Sequence, residues 1–226
     1  MYTRQDLRTF TKSVVGFGLP IEKYITVEQP FDPTGEFRTT FPQLTTLLEK
    51  ARRYSFKQGD KDYILNEWDN IEEEVCGWLT IVDMPLSHGE RLIPEHELLL
   101  KAMGGIKETF NPAGDSLTSN QNVIFGRSMD RTGDDWKDYY FDMCLDAGST
   151  PVDYSDFIIF AWEANGNFTL YDPATRKVFL FAHDHNFKNV TPLEGQPAYT
   201  LYTINGVVNF VDYVEQIASE WLAFVE

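Results

Sequence analysis

Apolar runs broken by polar turns show most plainly between Phe157 and Ala182. Three runs stand out: Phe157-Ile158-Ile159-Phe160-Ala161-Trp162, Asn167-Phe168-Thr169-Leu170-Tyr171 and Lys177-Val178-Phe179-Leu180-Phe181-Ala182. β-branched and aromatic residues fill them, as strands require. Turn formers separate them, Asn165-Gly166 first and Asp172-Pro173-Ala174-Thr175 second. The pattern predicts an antiparallel meander at the heart of a sheet.

Elsewhere the period is helical. Thr3 with Asp6 reads as a capping box ahead of Leu7, Phe10 and Val14, stopped by Gly16-Phe17-Gly18. Leu19-Pro20 starts an extended stretch through Tyr24 to Val27, and residues 28–42, with three prolines and a glycine, read as loop. Pro42 suits a first helical turn. Leu44, Leu47, Leu48 and Ala51 follow on one face, with Arg52 and Arg53 near the C-terminal end, where cations complement the helix dipole. Gln58 to Asp62 is a polar turn. Ile64, Leu65, Trp68 and Ile71, then Val75, Trp78 and Leu79, predict a further helix running across Gly77, although Thr80-Ile81-Val82 looks strand-like. Pro94 opens a helix through Leu98, Leu99, Ala102 and Met103 that Gly104-Gly105 ends, and Ile106 to Phe110 suits a short strand. Val123-Ile124-Phe125 reads as buried, and Trp136 to Phe141 fits helix or strand equally. After a polar loop over 184–196, Tyr199 to Tyr202 reads as a strand. Asn209, with Asp212 three residues on, caps a closing helix whose stripe is Phe210, Val214, Ile217, Trp221 and Val225.

These elements, on a chain of 226 residues, fit one α+β domain over 1–226 with an insertion-rich N-terminal half. Aromatic residues make up 15%, which suits a packed core rather than a disordered chain. No apolar run approaches the ~18 residues of a membrane span. The first residues lack a signal-peptide pattern, so the reading is cytoplasmic. Cys76 and Cys144 read as buried free thiols rather than a disulfide.

Charge changes the picture more. The net charge is −16. Residues 1–113 carry 13 basic against 18 acidic side chains (−5), and residues 114–226 carry 6 against 17 (−11). Such a field repels nucleic acid and anionic membranes and draws a basic protein partner. Solubility alone is the plainer account of it.

Catalytic patterns are sparse. His183 and His185 would share a strand face, as a metal pair needs, with His88 or His96 as a third ligand; a polar strand end is the commoner meaning of this spacing. Glu95-His96-Glu97 misses the zinc-helix pattern because position 100 is Leu. No Gly-x-Ser-x-Gly or phosphate loop occurs, and no cofactor is expected. Two glycosylation-type triplets, at Asn167 and Asn189, read as coincidence. Asp130, Asp134, Asp135, Trp136 and Asp138 combine acid with an aromatic and are the candidate partner-binding set. Against that stands a core Trp136 beside turn-capping aspartates, which is the favoured reading.

Three stretches give the chain a resemblance to the SUKH superfamily of bacterial immunity proteins and their relatives in cell-wall regulators and viruses. These are Gly18-Leu19-Pro20 after an initial helix, Ile93-Pro94-Glu95-His96-Glu97-Leu98-Leu99-Leu100 running into Gly104-Gly105-Ile106, and the meander with Trp162, Gly166 and Tyr171-Asp172-Pro173 before Val178. The closing helix also fits. The resemblance implies an α+β fold with a central, mainly antiparallel sheet flanked by helices. It further implies no enzymatic activity and a role in binding and neutralising a polymorphic toxin of nuclease or deaminase type. The competing expectations are a hydrolase or metal enzyme using carboxylates with His183 and His185, and a regulatory adaptor.

Overall fold

The computed structural model describes residues 25–28, 30–58, 60–82, 92–112, 117, 121–123, 135–163, 166–184 and 189–226. They form two antiparallel sheets and five helices, an α+β fold. The N-terminal sheet holds β1 (Ile25–Glu28), β2 (Arg52–Gln58), β3 (Lys61–Asp69), β4 (Val75–Ile81) and β5 (Gly105–Phe110), in chain order. The C-terminal sheet runs β10 (Val190–Pro192), β11 (Leu201–Ile204), β9 (Val178–Phe181), β8 (Phe168–Tyr171), β7 (Ile158–Glu163) and β6 (Gln121–Val123). β5 lies beside β6, so the inner edges of the two sheets meet.

One apolar core spans both sheets. Helices α1 (Gly35–Thr40), α2 (Pro42–Lys50), α3 (Pro94–Met103) and α5 (Phe210–Phe224) all contribute to it. Helix α4 (Asp135–Ala147) covers the opposite face of the C-terminal sheet through Trp136, Tyr140 and Cys144. On the corresponding face of the N-terminal sheet, Tyr54, Phe56, Tyr63, Leu65, Leu79 and Phe110 form a third cluster.

Helix α5 ties the halves together. Asn209 caps it in a full capping box with Asp212. Its start is fastened to the C-terminal sheet, where Val178 N donates to Val208 O at 3.0 Å. Its end is fastened to the β3–β4 turn, where Ile71 N donates to Phe224 O at 3.0 Å. Along its length Trp221 meets Trp68 and Trp78, with ring centroids 5.5 and 5.1 Å away.

The meander, the Pro94 helix with its Gly-Gly stop, the β5 strand and the closing helix form as expected. Gly104 sits at φ +77°, and a side chain there would stand 2.2 Å from Ile81 O. The initial helix and Gly18-Leu19-Pro20 lie outside the described residues.

The α+β fold of antiparallel sheet and flanking helices forms as expected, its strands divided between two sheets. Three expectations are corrected. Within the stretch read as loop, Thr34 Oγ1 accepts from Phe37 N at 3.2 Å and starts α1, whose Phe37 is buried with Phe41. Arg52 and Arg53 do not end a helix; Ala51 is already extended and both arginines belong to β2. The helix expected across Gly77 is the β3–β4 hairpin, paired from Tyr63↔Ile81 to Asp69↔Val75. Both faces of that hairpin are buried, so no period-two alternation marks it. Gly77 is open for a packing reason: a Cβ there would meet Asn66 O at 2.4 Å and the Phe110 ring at 2.6 Å. A smaller change is that residues 190–192, read as loop, form the edge strand β10.

Candidate functional site

The acidic set singled out in the sequence is divided by helix α4. Trp136 is buried, packed edge-on to Phe168 and Phe181 at 5.2 and 5.4 Å, so it belongs to the core. Asp138 is exposed. Asp135 begins the helix, and Asp130 and Asp134 lie outside the described residues. What the sequence reading missed is the rest of this face. Asp142 and Asp146 are exposed one and two turns beyond Asp138, and Phe141 and Leu145 stand between them at 51% and 67% exposure. The signal was present as an i, i+4, i+8 spacing of aspartates, but it required knowing that the segment is a helix.

The inner face of α4 is fully engaged. Tyr140 Oη accepts from Val152 N at 3.0 Å and donates to Gln196 Oε1, and Gln196 Nε2 donates to Thr150 O at 3.0 Å. Burial pushes the Tyr140 phenol and the Cys144 thiol up. Cys76, buried on β4, is pushed up to about 12. Both shifts run against the thiolate form that nucleophilic chemistry uses.

The two histidines among the described residues, His96 and His183, lie in different surroundings. His183 is half-buried, its backbone N donating to Asn167 Oδ1 at 3.1 Å and its ring lying near Phe181 and Tyr139. His96 is enclosed by Phe160, Tyr171 and Phe210, with Nδ1 at 3.2 Å from Tyr171 Oη. His88 and His185 lie outside the described residues. Among the described residues, no cluster of three or more His, Cys, Asp or Glu side chains could hold a metal ion. Asn167 is fully buried, its amide donating to Asp184 at 3.0 Å and Glu163 at 3.3 Å, so it is no glycan acceptor in the fold.

A second site, absent from the sequence reading, is a cleft of about 570 Å³ over the N-terminal sheet. One wall is the stripe Pro94, Glu97, Leu98, Lys101 and Ala102 of α3, at helical spacing. The other is the chain from Phe31 through Thr34 to Glu36. Arg53 of β2 completes the lining. Only 8% of Arg53 is exposed, and its guanidinium lies 5.0 Å from the Phe31 ring centroid. Its Nε has no hydrogen-bond partner, and no ion pair reaches the side chain among the described residues. Burial lowers its pKa. The other charges at the cleft are paired or exposed: Asp32 with Arg38 at 3.7 Å, Glu97 with Lys101 at 3.5 Å, and Glu36 open to solvent.

Arg53 also begins a row of orphaned polar atoms. It stands opposite Asn66 on β3, which stands opposite Trp78 on β4. Asn66 Nδ2 and Oδ1 and Trp78 Nε1 are buried without partners. An Arg-Arg pair followed by Tyr54 and Phe56 in alternation could have marked the strand, but nothing in the sequence marks Arg53 as unpartnered.

Comparison of the chain with protein-family models, with curated proteins and with solved structures returns no match. Among the described residues, no helix is long and apolar enough to cross a membrane.

Proposed function

We propose that this is a non-enzymatic binding protein that docks a basic protein domain on the outer face of α4, and that the partner is a toxin the protein neutralises. The observation that carries the docking surface is the arrangement of that face. Asp138, Asp142 and Asp146 repeat at i, i+4 and i+8, all exposed, where like charges repel. Asp142 and Asp146 sit in the C-terminal half of a helix whose last turn holds no basic residue, so they oppose the dipole. The helix is less stable for carrying them there. Phe141 and Leu145, exposed between them, supply the apolar centre that an acidic rim surrounds in protein interfaces. The net charge of −16 extends the same field over the molecule. The assignment of the partner as a toxin is supported by the SUKH resemblance of the Gly-Leu-Pro, Gly-Gly and meander segments.

The test is the double variant Asp142→Lys/Asp146→Lys. It reverses two of the three charges on the face while improving the helix, by about 0.3–1 kcal/mol per site. Wild-type protein used as bait in extracts of its source cells should hold a basic partner at low salt and release it as salt rises. The variant, folded and at least as stable, should not hold it. Expression of that partner in a test strain should arrest growth, and co-expression of the wild type alone should restore it. Equal retention by the variant would remove α4 from the interface. A partner whose expression harms no cell would end the toxin reading and leave an adaptor.

A further inference from the structure

The Arg53 cleft is separate from the α4 face and calls for its own explanation. A buried guanidinium without an anion is among the least favourable groups a core can hold, because its desolvation is uncompensated. Stacking on Phe31 offsets part of that through the ring quadrupole, while Nε stays buried without a hydrogen-bond partner. Asn66 beside it, with both amide atoms orphaned, gives the guanidinium a polar neighbour that also lacks partners. Native folds rarely leave consecutive buried polar groups unmatched unless something else completes them.

We propose that this cleft binds a small monocarboxylate with an apolar body, its carboxylate held by the Arg53 fork. The planar fork matches a carboxylate in a two-bond geometry. Phe31, Leu98 and Ala102 provide apolar wall for the body of the ligand. The charges favour a monoanion over a dianion: with Asp32 paired to Arg38 and Glu97 to Lys101, Arg53 alone is left to neutralise a ligand, and a phosphate dianion keeps an uncompensated charge beside exposed Glu36. The volume of about 570 Å³ lies within the range of small-molecule sites.

The full chain, isotopically labelled, would be titrated with benzoate and with hexanoate. The arginine Nε–H resonances and the thermal midpoint would both be followed. Benzamide, the uncharged counterpart, and inorganic phosphate serve as comparisons. At least one carboxylate should saturate, shift the Arg53 Nε–H signal and raise the midpoint, and benzamide and phosphate should do neither. Arg53→Lys should bind about tenfold more weakly, the loss expected when a two-pronged charged contact becomes a single point charge. Ala102→Phe fills the cleft without touching Arg53 and should abolish the response while the unliganded protein stays folded. Binding of benzamide as tight as benzoate would overturn the proposal. So would tighter binding of phosphate than of either carboxylate, no response to any of them, or an undiminished response in Ala102→Phe.

Discussion

The two sheets present different chemistry to the helices they share. On the C-terminal sheet, the large polar groups facing the core are matched. Tyr171 Oη accepts from Ile93 N at 3.4 Å and meets His96 Nδ1 at 3.2 Å, and Tyr202 Oη accepts from Tyr199 N at 2.8 Å. Two atoms on that sheet are left over, Thr169 Oγ1 and Trp162 Nε1 on its opposite face, and they do not adjoin. On the N-terminal sheet the equivalent face carries Arg53, Asn66 and Trp78 side by side, with orphaned atoms on each. A matched polar group fixes a core; an unmatched row ending at a cleft is the mark of a site. The unmatched groups thus adjoin one another across three strands of the N-terminal sheet and are scattered on the other.

The largest test of that contrast is where α5 seals the N-terminal sheet. Trp221 is fully buried against Trp68 and Trp78, so Trp221→Ala should cost about 3–5 kcal/mol in urea unfolding. If the loss is under ~1 kcal/mol, α5 does not hold that sheet in place. Next in size is Gly77→Ala. Its Cβ would meet a carbonyl on β3 and the Phe110 ring, both closer than atoms can approach, so strand β4 must shift. A loss of about 1–3 kcal/mol is expected.

A paired substitution compares the two faces directly. Tyr171→Phe removes the hydroxyl that Ile93 N–H and His96 share, and should destabilise by about 1–3 kcal/mol because those buried groups lose their match. Asn66→Leu removes an amide with nothing to lose and keeps the shape. It should be neutral or raise stability, since no hydrogen bond is broken and a desolvated polar group disappears. Equal losses for the two substitutions would erase the difference between the sheets.

How much of this was legible in the sequence follows from burial. The meander was readable because its strands end in Asn-Gly and Asp-Pro turns, and Gly166 indeed takes φ +92°. The closing helix was readable because its apolar stripe is one-sided and Asn209 and Asp212 mark its start. The β3–β4 hairpin was misread because Ile64, Leu65, Trp68 and Trp78 are all buried, on opposite faces, and a two-sided strand resembles a helix segment in periodicity. Of the acidic set, Trp136 lies in the core, as the favoured reading had it, and Asp138 is exposed; Asp142 and Asp146 join Asp138 on one face only once 135–147 is a helix. The cleft was invisible. It depends on β2, α3 and the 31–36 segment meeting, and on Arg53 lacking a partner, which is a property of space and not of residue order.

The finest test concerns the junction of α2 and α5, where the cover of the N-terminal sheet is pinned to the helix shared by both. Glu215 on α5 accepts from Gln43 N at 2.8 Å and Leu44 N at 3.1 Å, the open N–H groups at the start of α2. Burial raises its pKa above the usual 4.5, and the two N–H bonds pull it partly back. A carboxyl with a raised native pKa holds its proton more firmly folded than unfolded. Its contribution is therefore complete below about pH 4.5 and lost as pH rises through the folded value. Glu108 on β5, also raised by burial and opposed by Lys107, has the same sign. Denaturant unfolding of wild type and Glu215→Gln across that window isolates the one group from the many other carboxylates. The stability of wild type relative to the variant should fall as pH rises and level off once Glu215 is ionised. A difference that grows with pH would mean the α2 amides outweigh burial, and that the junction, unlike the Arg53 row, is a charge site the fold has fully matched.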